Sequence, residues 1–138
     1  MKHFHNVVRI LSGLLFVVVA ASKFGILPSG VTREHMFTPE GWAFISAINA
    51  TGYLFPAVGV VALVCGVAFL TNRYVALAAV VLMPITVSFA LFHVFLGFPI
   101  DSVFSFHFVR EGVSFVPLVL NLTILYNMRS KYHALTTG

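Results

Sequence analysis

Charge is what this sequence lacks most. Only 9% of its 138 residues are Asp, Glu, Lys or Arg, against about 25% in an ordinary soluble domain. Carboxylates are scarcer still: Glu34, Glu40, Asp101 and Glu111 are the full set. Residues 41–72, 74–100 and 112–128 carry no charge at all, so a water-exposed surface cannot be built from them. The single cysteine, Cys65, excludes an internal disulfide and a CxxC redox pair. A basic patch is missing as well. The formal charge is +4, but the eight Lys and Arg stand at the ends of apolar segments rather than together. A phosphate footprint needs them clustered, so nucleic acid is not an expected partner. HxxxH and HExxH spacings do not occur, no nucleophile–base pair is visible, and the connectors are too short for a soluble catalytic domain.

What is present is apolar. Hydrophobic residues make up 59% of the chain, and the mean hydropathy is +1.00. About 20 apolar residues at a rise of about 1.5 Å each cross a bilayer core. The expected fold is an all-α integral membrane protein, a four-transmembrane-helix up-down bundle in one domain, 1–138. Its spans cover about 7–27, 43–70, 74–97 and 106–127, with an outer connector at 28–42. The first run resembles a signal peptide in length, but Lys23 and Phe24 follow it without an A-x-A site, so an uncleaved helix is expected. Thr38-Pro39-Glu40 reads as a helix start: a capping hydroxyl, proline at the first helical position and an acid in the first turn. The helix it opens either lies in the interface or forms the top of the second span, and Trp42 suits an interfacial anchor in both cases.

Lysine and arginine distribution orients the spans. Lys2, Arg9, Arg73, Arg129 and Lys131 fall on one side, whereas Lys23, Arg33 and Arg110 share the other with all four acids. The positive-inside rule then puts both termini in the cytoplasm.

Two sets of residues stand out. Gly52, Pro56, Gly59, Ala62 and Gly66 recur at three- and four-residue steps, and Ser12 and Gly13 give the first span a small surface. Small residues let helices approach closely in lipid, so this stripe reads as a packing seam, with a ligand in the groove as the alternative. Pro56, Pro84 and Pro117 each fall within a span and are expected to bend it; Asn121 is placed to hydrogen-bond across the bundle. The fifteen phenylalanines show no regular cofactor spacing.

The second set is ionisable. His93 shares a small, slightly polar helical face with Thr86, Ala90 and Gly97, about one turn below the outer interface. Lys23, Arg110 and Glu111 fall at the same end under this topology. Charges at that depth pair, snorkel to headgroups or mark a site. His93, Lys23, Arg110, Glu111 and Thr86 are therefore the candidate ligand-binding residues, expected around a shared outer cavity. His93 admits three roles: a structural hydrogen bond, recognition of a polar head such as a quinone carbonyl, or metal or haem ligation. Haem is the least favoured, since the second span offers no histidine as an axial partner. No metal site is expected.

RILSGLLFVVVAASKFG (9–25), GVVALVCGVAFLTNRYVALAAVVLMP (59–84) and ALFHVF (90–95) together resemble the DoxX-like family of small bacterial four-helix membrane proteins. The similarity extends over about 7–127. It implies a four-helix bundle in the bacterial cytoplasmic membrane and patterned positions at Arg9, Gly13, Lys23, Phe24, Gly66, Asn72, Arg73 and His93. Some relatives are linked to quinone-dependent sulfur oxidation or membrane redox complexes. Many carry an acid near the position of Ala62, which this chain lacks; a proton-handling role through that position does not transfer. The expected function is an accessory or ligand-binding subunit that recognises an amphipathic molecule or partner near the outer face. A quinone-linked oxidoreductase subunit and a purely structural scaffold are the alternatives. Quinone or lipid are the ligands this admits; membrane lipids, a membrane redox partner or a second copy of the chain are the partners.

Overall fold

The computed structural model describes residues 2–27, 37–97 and 107–136, and of residues 2, 97, 107–114 and 133–136 it describes the backbone. Among the described residues every regular element is helical: α1 (Lys2–Lys23), α2 (Pro39–Ala50), α3 (Leu54–Leu70), α4 (Val75–Phe92), α5 (His107–Asn127) and α6 (Arg129–Thr136), with a π-helical turn at His93–Gly97 continuing α4. His3–Lys23 and Val75–Leu96 are each long and apolar enough to cross a membrane, and α2 with α3 makes a third if the bent pair is one span. In α5 the described apolar part is Phe115–Asn127.

The helices carry apolar residues on their exposed as well as their buried sides. Gly59, Ala62, Cys65, Gly66 and Phe69 form the buried side of α3, while Val60, Leu63, Val64 and Val67 are exposed. Large exposed aliphatics around small buried residues suit a lipid surround, where close backbone approach replaces the hydrophobic effect as the packing force. α1 makes its most extensive contact with α3, α4 packs on α3 and α5, and α5 closes on α1.

The α1–α3 seam runs antiparallel. A Cβ on Gly66 would stand 3.0 Å from the Gly13 carbonyl oxygen and 3.2 Å from the Val17 amide nitrogen. Those are backbone atoms, so the approach depends on glycine at 66. At the chain-terminus end of the seam, α3 stops in a Schellman motif: Asn72 takes a left-handed φ of 57°, the Arg73 amide donates to Ala68 O at 3.0 Å, and the Asn72 amide donates to Phe69 O at 3.3 Å. The Val67 carbonyl accepts from the Thr71 amide at 2.9 Å. Arg9, reaching from α1, donates Nη1 to the carbonyls of Phe69 and, at 3.1 Å, Leu70. All four terminal carbonyls of α3 thus have donors, and a cation lies at the negative end of the helix dipole.

Residues 43–70, expected as one span, are two helices meeting at 84°. Pro56 does not cause the bend. It lies in the first turn of α3, where its missing amide costs no helical hydrogen bond. The chain turns instead at Thr51-Gly52-Tyr53, where Gly52 adopts φ of 72°; L side chains rarely hold that conformation. Thr51 serves both helices, donating its hydroxyl to Ile48 O at 2.6 Å and accepting from the Leu54 amide at 3.3 Å.

α2 starts where Thr38-Pro39-Glu40 places it, with the Thr38 hydroxyl accepting from the Gly41 amide at 3.0 Å. The same hydroxyl donates to Leu96 O at 2.7 Å, pinning α2 to the π-helical turn. A Cβ on Gly41 would collide with that carbonyl oxygen, so the contact is backbone on backbone. Phe37 stacks on Trp42, and Phe92 lies within ring contact of both Phe37 and Phe44. In the core between α4 and α5, the buried Asn121 amide donates to Ala79 O at 3.1 Å and lies 3.5 Å from the Thr86 hydroxyl.

Candidate functional site

The elbow between α2 and α3 creates the site. α1 ends beside it in a second Schellman motif: Gly25 takes φ of 75°, the Ile26 amide donates to Ala21 O at 3.0 Å, and the Gly25 amide donates to Ser22 O at 3.3 Å. Lys23 is the basic residue of that last turn. A Cβ on Gly59 would lie 3.1 Å from the Lys23 Cβ and 3.2 Å from the Phe24 ring, so the lysine stem rests against bare α3 backbone. Its ammonium sits 4.4 Å from the Phe55 ring centroid, within cation–π range. Among the described residues no carboxylate pairs with it.

Next to this ammonium lies a cavity of about 300 Å³. Ser22, Lys23, Phe24 and Gly25 wall it from α1 and its cap. Asn49 and Gly52 wall it from the end of α2 and the elbow, and Phe55 and Pro56 from the first turn of α3. The volume is at the lower end for ligand pockets; it accommodates a polar head rather than a whole amphiphile. The lining combines one cation, an amide and a hydroxyl with two aromatic rings. That arrangement can hold a polar group by charge and hydrogen bonding while its apolar remainder lies outward.

Two of the other candidate residues, His93 and Thr86, are elsewhere. His93 does not line this cavity. It opens the π-helical turn, where Nδ1 donates to Phe89 O at 2.8 Å. A carbonyl only accepts, so the proton is fixed on Nδ1. The Phe89 and Phe92 rings flank the imidazole at 4.3 and 5.3 Å. His93 therefore belongs to the aromatic cluster at the N-terminal end of α2, whereas Lys23 faces its C-terminal end. Thr86 lies deeper still: it is buried, donates to Leu82 O and Met83 O at 3.1 Å each, and faces Asn121. Arg110 and Glu111 lie in the first part of α5, with side chains outside the described residues.

The small-residue stripe divides in the same way. Gly13, Gly59, Ala62 and Gly66 are buried, but Gly52 and Pro56 are exposed and belong to the elbow and its cavity. Phe55, Asn49, Ser22 and Gly25 were not singled out in the sequence. Gly25, two residues beyond a lysine that ends an apolar run, was the available signal: it is the C′ glycine that halts α1 beside α3. Arg9, counted in the sequence among the basic residues of the cytoplasmic side, is buried and engaged by α3. Among the described residues no group of three His, Cys, Asp or Glu is placed to hold a metal ion.

No protein-family model, curated protein or solved structure matches this chain.

Proposed function

We propose that this chain is a four-span, DoxX-like protein of the bacterial cytoplasmic membrane with both termini in the cytoplasm. We propose further that it binds the polar head of an amphipathic molecule in the Lys23 cavity at its outer end, as an accessory or ligand-binding subunit. The observation that carries this reading is Lys23, its stem against Gly59 and its ammonium over the Phe55 ring, at the edge of a cavity of about 300 Å³. Charges at the ends of membrane helices pair or mark a site, and Lys23 has no carboxylate partner among the described residues. α2 supports the same reading. It crosses α3 at 84° and carries Trp42, as expected of a helix lying in the membrane interface, where an amphiphile's head would be found.

The test is gentle detergent extraction of the intact protein followed by lipid and quinone mass spectrometry. Asn49→Trp, which fills the cavity without touching Lys23, should lose the co-purifying amphiphile, and His93→Ala should keep it. A lipid would identify an accessory lipid-binding protein; a quinone would move the reading to a quinone-linked redox subunit. No amphiphile in any sample would leave a structural scaffold.

A further inference from the structure

We propose that the head recognised in the Lys23 cavity is anionic, a carboxylate or a phosphate monoester carried on an apolar chain. The inference rests on the reading of the elbow as a binding site and names the chemistry that site selects.

The electrostatics of the three helix ends decide the sign. Two of them, those of α1 and α2, are C-terminal and would ordinarily favour a cation. Several of their terminal carbonyls already accept hydrogen bonds. Ala21 O and Ser22 O accept from the amides of Ile26 and Gly25; Ile48 O accepts from the Thr51 amide and hydroxyl, and Asn49 O from the Gly52 amide. The third end is the N-terminal first turn of α3, which lines the cavity through Phe55 and Pro56 and favours an anion. Lys23 adds a full positive charge with hydrogen-bond donors directed to no acceptor among the described residues. The described carboxylate, Glu40, is in the first turn of α2, roughly 14 Å from Asn49 by helical rise. The site thus presents an uncompensated cation and, among the described residues, no anion, with the Ser22 hydroxyl already donating to Val19 O at 2.7 Å and Asn49 supplying an amide beside it. A carboxylate or phosphate accepts without donating and matches that imbalance. A quinone carbonyl would accept one bond but leave the charge uncompensated.

The size and surroundings supply the rest. A cavity of about 300 Å³ takes such a head. Phe24, Ile26 and Leu27, all exposed at the end of α1, offer apolar surface for the chain attached to it.

The test uses the intact protein in phosphatidylcholine nanodiscs, titrated with oleate, oleyl phosphate and oleyl alcohol, with bound ligand counted by native mass spectrometry. Both anions should bind at least 10-fold more tightly than the alcohol. Lys23→Gln should erase that advantage without weakening alcohol binding, and Lys23→Arg should retain most of it. Gly59→Ala, which crowds the lysine stem, should reduce the advantage several-fold with the charge still present. Equal affinity for oleate and oleyl alcohol in the unaltered protein would overturn the anionic head while leaving an amphiphile site in place. Binding of none of the three would remove both readings. Displacement of oleate by inorganic phosphate at equal concentration would overturn the requirement for an apolar chain.

Discussion

Arg9 and Lys23 are two cations on the same helix, at opposite ends of the α1–α3 seam, and they differ in what surrounds them. Arg9 is buried, and the carbonyls of Phe69 and Leu70 at the end of α3 take up its guanidinium. Lys23 rests on Gly59 and an aromatic face, with a cavity beside it. The difference follows from which end of α3 each one meets. At the C-terminal end, unsatisfied carbonyls require donors, so the arginine becomes part of the structure. At the N-terminal end there are no free carbonyls to accept from the lysine, and its hydrogen-bonding capacity is left for something else. Cationic character alone does not distinguish the two; the polarity of the neighbouring helix does.

The largest expected effect separates these ends. Arg9→Met should destabilise the protein by about 3 kcal/mol, since it removes charge-assisted bonds and leaves Leu70 O without a donor. Lys23→Met should cost less than about 1 kcal/mol, the value of a partly exposed cation–π contact. Unfolding in mixed micelles, followed by far-ultraviolet circular dichroism, measures both; equal losses would break the comparison. Within the seam, Gly66→Ala should cost about 1–3 kcal/mol as overpacking against backbone. Gly13→Ala should cost a comparable amount, because its Cβ would meet Leu70 Cγ at 2.7 Å and the Gly66 carbonyl oxygen at 3.1 Å. The same unfolding assay measures both, and no loss at either glycine would place the closest approach elsewhere.

At the elbow, Thr38→Val removes both the cap on Gly41 and the bond to Leu96 O, and should cost about 1 kcal/mol. It should release α2 while leaving α1 and α3 packed, so faster amide exchange confined to α2 is the expected pattern. The smallest effect is at the other end. Tyr132 on α6 donates its hydroxyl to Ala76 O at 2.8 Å, and burial raises its pKa. A phenol whose folded pKa lies above its unfolded value contributes fully below the unfolded pKa and loses that contribution as pH rises. The docking of α6 should therefore weaken above about pH 10. Tyr132→Phe should remove this dependence, measured as the difference in unfolding midpoint between neutral and alkaline buffer.

Much of the helical plan was legible because apolar runs and turn residues carry it. Thr38-Pro39-Glu40 marked the start of α2, and Thr71-Asn72-Arg73 marked the turn before α4. The elbow was not. Residues 43–70 read as one apolar run because hydropathy does not register direction, and the three residues that turn the chain contain only one glycine. Pro56 drew the expectation of a bend, although in a first turn it is harmless. The candidate site was legible to the extent of Lys23 and its depth, although the sequence groups that lysine with Glu111 and the other acids. His93 was grouped with it by depth alone, yet two residues at equal depth can be separated laterally. Here α2 lies between them, with His93 near its Thr38 end and Lys23 near Asn49.

The central claim is that α2 leaves the bundle at the elbow and lies along the membrane surface, forming the cavity at headgroup level. Trp42 is on α2 and is the only tryptophan in the chain, so its fluorescence reports on that helix without substitution. Quenching by lipids labelled at graded depths should be strongest for labels near the headgroup, about 15 Å from the bilayer centre, half the thickness of the hydrocarbon core. Strongest quenching by labels at the ends of the acyl chains would put α2 inside the bilayer and contradict the account.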